Sequence, residues 1–402
     1  MAIDKNKYLS DKLQNMSQSA TIAMAEKARK LKEMGHDVIA LSLGEPDFDT
    51  PDHIKEAAKQ ALDEGYTKYT PVNGLLEFRK AIVEKFKRDN DLEYTVEQIV
   101  VSNGAKQSIA NLCLALLNKG DEVLIFTPYW VSYFDIVTFA GGVPITVKAG
   151  IEDDFKVTPK ILSEYINDKT KMVIFSSPCN PTGSVYNMEE LEALGKVFDR
   201  YDDLFIISDE IYEFINFTNK HASLGTIPAL KDQVITINGM SKGFAMTGWR
   251  LGYMAGPTWL AKACAKVQGQ FTSGATSFGQ KAASIALQTD LRPTEKMKVA
   301  YEKRKKMMIE LLNEIPGIKT NDPMGAFYIF PDISDVFGKS TGTKKIANAN
   351  DFAEFLLTEA HVAVVSGSAF GDDNCIRISY AASEEQLREA CLRISKAVKS
   401  LS

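Results

Sequence analysis

The sequence predicts an α/β protein: a large, doubly wound, mainly parallel seven-stranded sheet domain beside a small α+β domain. Three observations carry this. Between about residues 95 and 255, seven short β-branched runs alternate with helical patterns: QIVVSNG, DEVLIFTP, VPITVKA, KMVIFSS, LFIISDE, QVITING and LGYMAG. Their near-continuous apolar character is that of strands covered on both faces, and their spacing is that of βαβ units. After about residue 290 the texture changes to long amphipathic helices separated by short strands.

In chain order, SATIAMAEKARKLKEMG reads as a helix, and VIALSLG follows it as a strand. Both are expected to join the C-terminal part, so that 1–48 forms an N-terminal arm and part of the small domain. Residues 49–292 then make the large domain, in which right-handed crossovers wind the seven runs into one sheet. Residues 293–402 complete the small domain: a charged helix (PTEKMKVAYEKRKKMMIELLNEI), GAFYIFPDI, the helix NDFAEFLLTEA, the strands VAVVSG and CIRISYA, and a last helix from Ser383.

Composition narrows the function. A chain of 402 residues with 45% hydrophobic and 25% charged residues is that of a globular protein with a large core. A net charge of −5 argues against a nucleic-acid or anionic-membrane surface. No apolar run approaches the roughly 18–20 residues of a membrane span, and the first residues have no apolar signal-peptide core. Five scattered cysteines without a Cys-x-x-Cys pair, and only four histidines, fit a reducing cytoplasm with neither disulfides nor a metal site. The sequon at Asn216 is read as chance.

Ligands of such sheets sit outside the carboxyl ends of the strands, and the chemistry-bearing residues gather there. SNGAKQSIANLCLALL is a strand end, a glycine and an apolar helix, so Gly104 and the amides of Ala105 and Lys106 open a helix N-terminus suited to phosphate. There is no G-x-G-x-x-G, which counts against a dinucleotide. Asp209 ends LFIISDE, and strand alternation turns Glu210 to the other side. Ser241-Lys242 follows VITING, with Arg250 eight residues on in SKGFAMTGWRLGY. A lysine so placed suits a Schiff base with an aldehyde, and a serine and an arginine nearby can hold a phosphate.

Strand, Ser-Lys, small residues and Gly-Trp-Arg resemble the cofactor-attachment pattern of the fold-type I, pyridoxal-phosphate-dependent aminotransferases of class I/II. The chain is most similar to their bacterial aspartate aminotransferase (Ib) branch, over nearly its whole length. The resemblance implies that Lys242 carries pyridoxal 5'-phosphate and that Asp209 keeps the pyridine nitrogen protonated. It also implies that Tyr212 and Asn180 (in SSPCNPTG) serve the ring's phenolic oxygen and that Trp130 (in TPYWVSY) stacks on the ring. Ser241, Arg250 and the 104–106 amides would hold the phosphate, joined by Tyr69 from a neighbouring subunit. The active form would be a homodimer with shared sites.

For the substrate, Arg377 lies in the otherwise apolar or small CIRISYA, where an unpaired guanidinium is costly; it is either a structural ion pair or, as the resemblance implies, the α-carboxylate site. Gly44 resembles the glycine whose backbone meets the same carboxylate. Lys106 resembles a lysine that holds a distal carboxylate, with Ser19 and Thr21 lining that pocket; alternatively Lys106 only opens a solvated helix. The implied activity is ping-pong transamination through Lys242, with aspartate and 2-oxoglutarate as substrates. Two other readings stay open: a transaminase for aromatic or neutral amino acids, and a carbon–sulfur lyase of the same fold. A cofactor-binding regulator would need an N-terminal DNA-binding domain, for which the chain has no room.

Overall fold

The computed structural model describes residues 5–14, 16, 18–342 and 344–402. Residues 1–4, 15 and 17 of the expected N-terminal arm lie outside the described residues.

The seven apolar runs form the strands β1 (Ile99–Ser102), β2 (Glu122–Thr127), β3 (Val143–Lys148), β4 (Thr170–Ser176), β5 (Phe205–Asp209), β6 (Val234–Gly239) and β7 (Gly252–Ala255) of one sheet. Their order is β1-β7-β6-β5-β4-β2-β3, parallel except for β7, which runs antiparallel to both neighbours. Alternation along β2 explains the continuous apolar pattern. Val123 and Ile125 enter a core with Ile109, Leu112 and Leu260, whereas Leu124 and Phe126 pack with Leu162 and Leu194. With no face left for water, every position from Val123 to Phe126 is apolar.

A further core gathers the C-terminal helices Arg292–Asn313, Ala349–Glu359 and Glu384–Lys399 around the antiparallel strands Tyr328–Ile329, Ile376–Ser379 and Val365–Ser366. The last helix starts as its sequence asks, with the Ser383 hydroxyl capping the Gln386 amide. Ile39–Ala40 pairs in parallel with Val362–Ala363, tying the segment after the helix Ala20–Glu33 to the C-terminal strands. Among the described residues no helix is long and apolar enough to cross a membrane.

Candidate active site

The carboxyl ends of β1, β2, β4, β5 and β6 converge on one cleft of about 370 Å³, whose opposite wall comes from residues 19–22, 43–45, Tyr328 and Arg377. A volume of this size suits a small ligand. Thirteen residues expected from sequence line it: Ser19, Thr21, Gly44, Ala105, Lys106, Trp130, Asn180, Asp209, Tyr212, Ser241, Lys242, Arg250 and Arg377. Gly104 lies just behind the lining. Tyr69 is not in the cleft; it stands 98% exposed on a separate loop surface.

The helix Ala105–Leu116 begins at Gly104, whose φ of +84° is one that residues with a side chain rarely adopt. A Cβ there would also lie 2.5 Å from Arg250 Nη2, so the glycine is what lets the guanidinium approach the helix start. Arg250, itself left-handed at φ 56°, is held by the Thr247 carbonyl at 2.9 Å. The Ala105 and Lys106 amides at the helix start, a hydroxyl at Ser241 and this cation form an anion seat.

Lys242 donates its amine to the Gly44 carbonyl. Burial, and then the Arg377 cation, bring the amine from 10.5 down to about 8, so that roughly a tenth of it is neutral near pH 7. Asp209 is buried, and burial raises its carboxyl from 3.8 to about 6, against the opposing effect of two hydrogen bonds. Those come from the Tyr133 hydroxyl at 2.6 Å and the Ile211 amide at 3.2 Å, both neutral donors. Glu210 faces away, as alternation required. It accepts from Ser208, Ser223 and His221 in a buried network that also contains the Lys85–Glu213 ion pair. Glu210, Glu213 and His221 are close enough together to suit a metal ion, but these partners already occupy them.

Arg377 is 2% exposed, yet it donates only to neutral acceptors, Asn180 Oδ1 at 2.9 Å and the Ser42 carbonyl at 2.6 Å. Among the described residues its Nε has no partner. The ion-pair alternative for Arg377 is therefore not what the structure contains. Because Asn180 spends its oxygen on Arg377, its NH₂ group is free to donate into the cleft. Lys106 lies with its amine 4.9 Å from the centre of the Trp130 ring; burial and then the Arg250 cation hold its pKa below the ordinary range.

Tyr133 and Tyr328 are among the lining residues that the sequence reading did not single out. Tyr133 sits in SYFDIVTFA, where an aromatic reads as core, and Tyr328 sits in the equally apolar GAFYIFPDI. Glu45 and Thr247, hydrogen-bonded to each other at the rim, were not anticipated either.

Known proteins resemble the chain over most of its length. The family model described as aminotransferase class I and II matches residues 36–394. The chain is 48% identical to the aspartate/prephenate aminotransferase of Cereibacter sphaeroides, over 98% of this chain and 100% of that one. It is 46% identical to the bifunctional aspartate aminotransferase and glutamate/aspartate-prephenate aminotransferase of Petunia hybrida, over 98% of this chain and 83% of the relative. Among solved structures, the aspartate aminotransferase from Rhizobium meliloti superposes with a TM-score of 0.95 at 40% identity, covering 98% and 99% of the two chains. The Thermus thermophilus aspartate aminotransferase with maleate gives 0.91 at 42% identity, covering 97% and 99%. A family match over most of the chain, with relatives aligned from end to end, means that this chain belongs to the aminotransferase class I and II family, whose members depend on pyridoxal phosphate.

Proposed function

We propose that the protein is an aspartate:2-oxoglutarate aminotransferase that holds pyridoxal phosphate on Lys242. The carrying observation is a cleft that contains an amine of lowered pKa together with two further cations, Arg377 and Lys106, to which no carboxylate is hydrogen-bonded among the described residues. Two such cations suit a substrate with two carboxylates. The names of the relatives add prephenate, an oxo acid that also carries two carboxylates, and the apolar Ile22, Leu43 and Val131 beside them suit its ring.

The residues fit the cofactor. Asp209 is a buried carboxylate with no cation hydrogen-bonded to it, as a protonated pyridine nitrogen requires. The Gly104–Lys106 turn, Ser241 and Arg250 suit a phosphate, Asn180 and Tyr212 suit a phenolic oxygen, and Trp130 suits the ring face. When bound, the cofactor supplies an aldehyde for the amine and a ring that withdraws electrons from the substrate's α-carbon. Arg377 orients the amino acid by its α-carboxylate, assisted by the backbone at Gly44. The Lys242 amine, neutral in part at pH 7, takes the α-proton and returns it, serving as anchor and general base. Lys106, with Ser19 and Thr21, receives the distal carboxylate.

The same reading includes a cytoplasmic homodimer in which Tyr69 reaches the partner's phosphate, and a division into residues 49–292 and a unit joining 1–48 to 293–402. The pairing of Ile39–Ala40 with Val362–Ala363 supports the division. A pre-steady-state screen of amino acids against the cofactor's visible absorbance tests the proposal. Aspartate and glutamate should react fastest. A preference for a neutral amino acid, or elimination in place of transamination, would overturn it.

A further inference from the structure

Tyr328 is buried at the edge of the cleft, and its hydroxyl lies 2.7 Å from that of Tyr212. The two rings meet edge to face with centroids 5.8 Å apart. The Arg377 guanidinium carbon lies 4.5 Å from the centre of the Tyr328 ring. The Tyr328 oxygen also presses on Gly44 so closely that a Cβ at that residue would collide with it. Gly44 is in turn the residue whose carbonyl receives the Lys242 amine. One phenol thus touches the supports of the three groups expected to meet substrate and cofactor.

A pair of hydroxyls shares one hydrogen bond, and its direction decides where the second proton goes. If Tyr212 donated to Tyr328, the Tyr328 proton would be left against the Gly44 backbone, with no acceptor hydrogen-bonded to it among the described residues. A buried donor without an acceptor is costly. If Tyr328 donates, the Tyr212 proton remains available to the cleft. We propose that Tyr328 is a positioning residue: it donates to the Tyr212 oxygen, and so directs the Tyr212 proton at the cofactor's phenolic oxygen and strengthens that bond through the chain of two phenols. The cation over its ring makes Tyr328 the better donor of the pair. Burial raises the pKa of both phenols, but Arg377 is the next influence on Tyr328 and lowers it, whereas for Tyr212 the next influence is the neighbouring Tyr328 and raises it further.

This inference rests on the reading that pyridoxal phosphate is bound at Lys242, and the test separates the two. The measurement is the visible-absorbance pH titration of the cofactor-loaded protein without substrate. Tyr328→Phe keeps the ring under Arg377 and removes only the hydroxyl. A weaker hydrogen bond to the phenolic oxygen favours the protonated chromophore, so its pKa should rise by roughly half a unit. In a Tyr212→Phe background the same change should have no effect, because the intermediary is gone. Replacing Tyr328 with a difluorotyrosine, a stronger donor, should move the pKa down. An unshifted pKa in Tyr328→Phe, an additive shift in the double variant, or shifts of one sign for both substitutions would each overturn the role of Tyr328. Failure of the parent protein to take up the cofactor at Lys242 would overturn the reading beneath it.

Discussion

The Tyr133 hydroxyl donates to Asp209 Oδ2 across 2.6 Å, so the carboxylate at the end of β5 is steadied by a neutral phenol and a backbone amide. This leaves a buried negative charge that folding alone does not neutralise.

Its cost should be visible in the cofactor-free protein. A carboxyl raised from 3.8 to about 6 destabilises the fold above pH 6, and the penalty disappears as the pH falls through 6 to below 4. Asp209→Asn removes the charge. The cofactor-free variant should therefore be the more stable one at pH 8, by at most roughly 3 kcal/mol, with the gap closing toward pH 4. Denaturant unfolding at several pH values checks this. Turnover should instead collapse, because the asparagine cannot hold a pyridine nitrogen protonated.

The Lys242 amine is the nucleophile only when neutral, and about half of it is neutral at pH 8. The rate of pyridoxal phosphate uptake by the cofactor-free protein should rise through that pH and then level off. Arg377→Gln deletes a cation that depresses the amine, so the midpoint should move upward. Stopped-flow absorbance gives both profiles. Lys242→Ala should lose at least roughly a thousandfold in transamination, the scale of a missing general base, and give no borohydride-fixed label.

Lys106→Ala should weaken aspartate and glutamate by roughly tenfold to a hundredfold in kcat/KM, the worth of one charge-assisted hydrogen bond, and leave alanine almost unchanged. Steady-state kinetics on the three substrates decides it. An equal loss for alanine would assign Lys106 to the phosphate or the fold.

Tyr69, standing clear of its own chain's cleft, should complete a neighbour's. Mixing Tyr69→Phe with Lys242→Ala should restore activity through hybrid dimers carrying one intact site. Sedimentation that shows a fully active monomer would refute the shared site.

What could be read from the sequence followed from periodicity and from strand ends. The seven strands were legible because both faces of the sheet are covered, which removes polar interruptions. Asp209 and Glu210 could be told apart because alternation is a local rule. Tyr133 and Tyr328 could not be found this way. Each lies in an apolar segment where an aromatic residue fits a core, and each takes its role from the partner its hydroxyl finds on a distant segment, 76 residues away for Asp209 and 116 for Tyr212. Arg377 was ambiguous for the same reason: one strand cannot reveal whether its partner is an acid or, as found, an amide oxygen and a carbonyl.

Arg377 is anchored to the Ser42 carbonyl across 335 residues and to Asn180 across 197. During translation, therefore, neither anchor can form until the ribosome has released nearly the entire polypeptide. The seat for the phosphate, made by residues 104–106, 241 and 250, can assemble well before then. The elements of the phosphate seat are thus available to a nascent chain first, and the grip of Arg377 last.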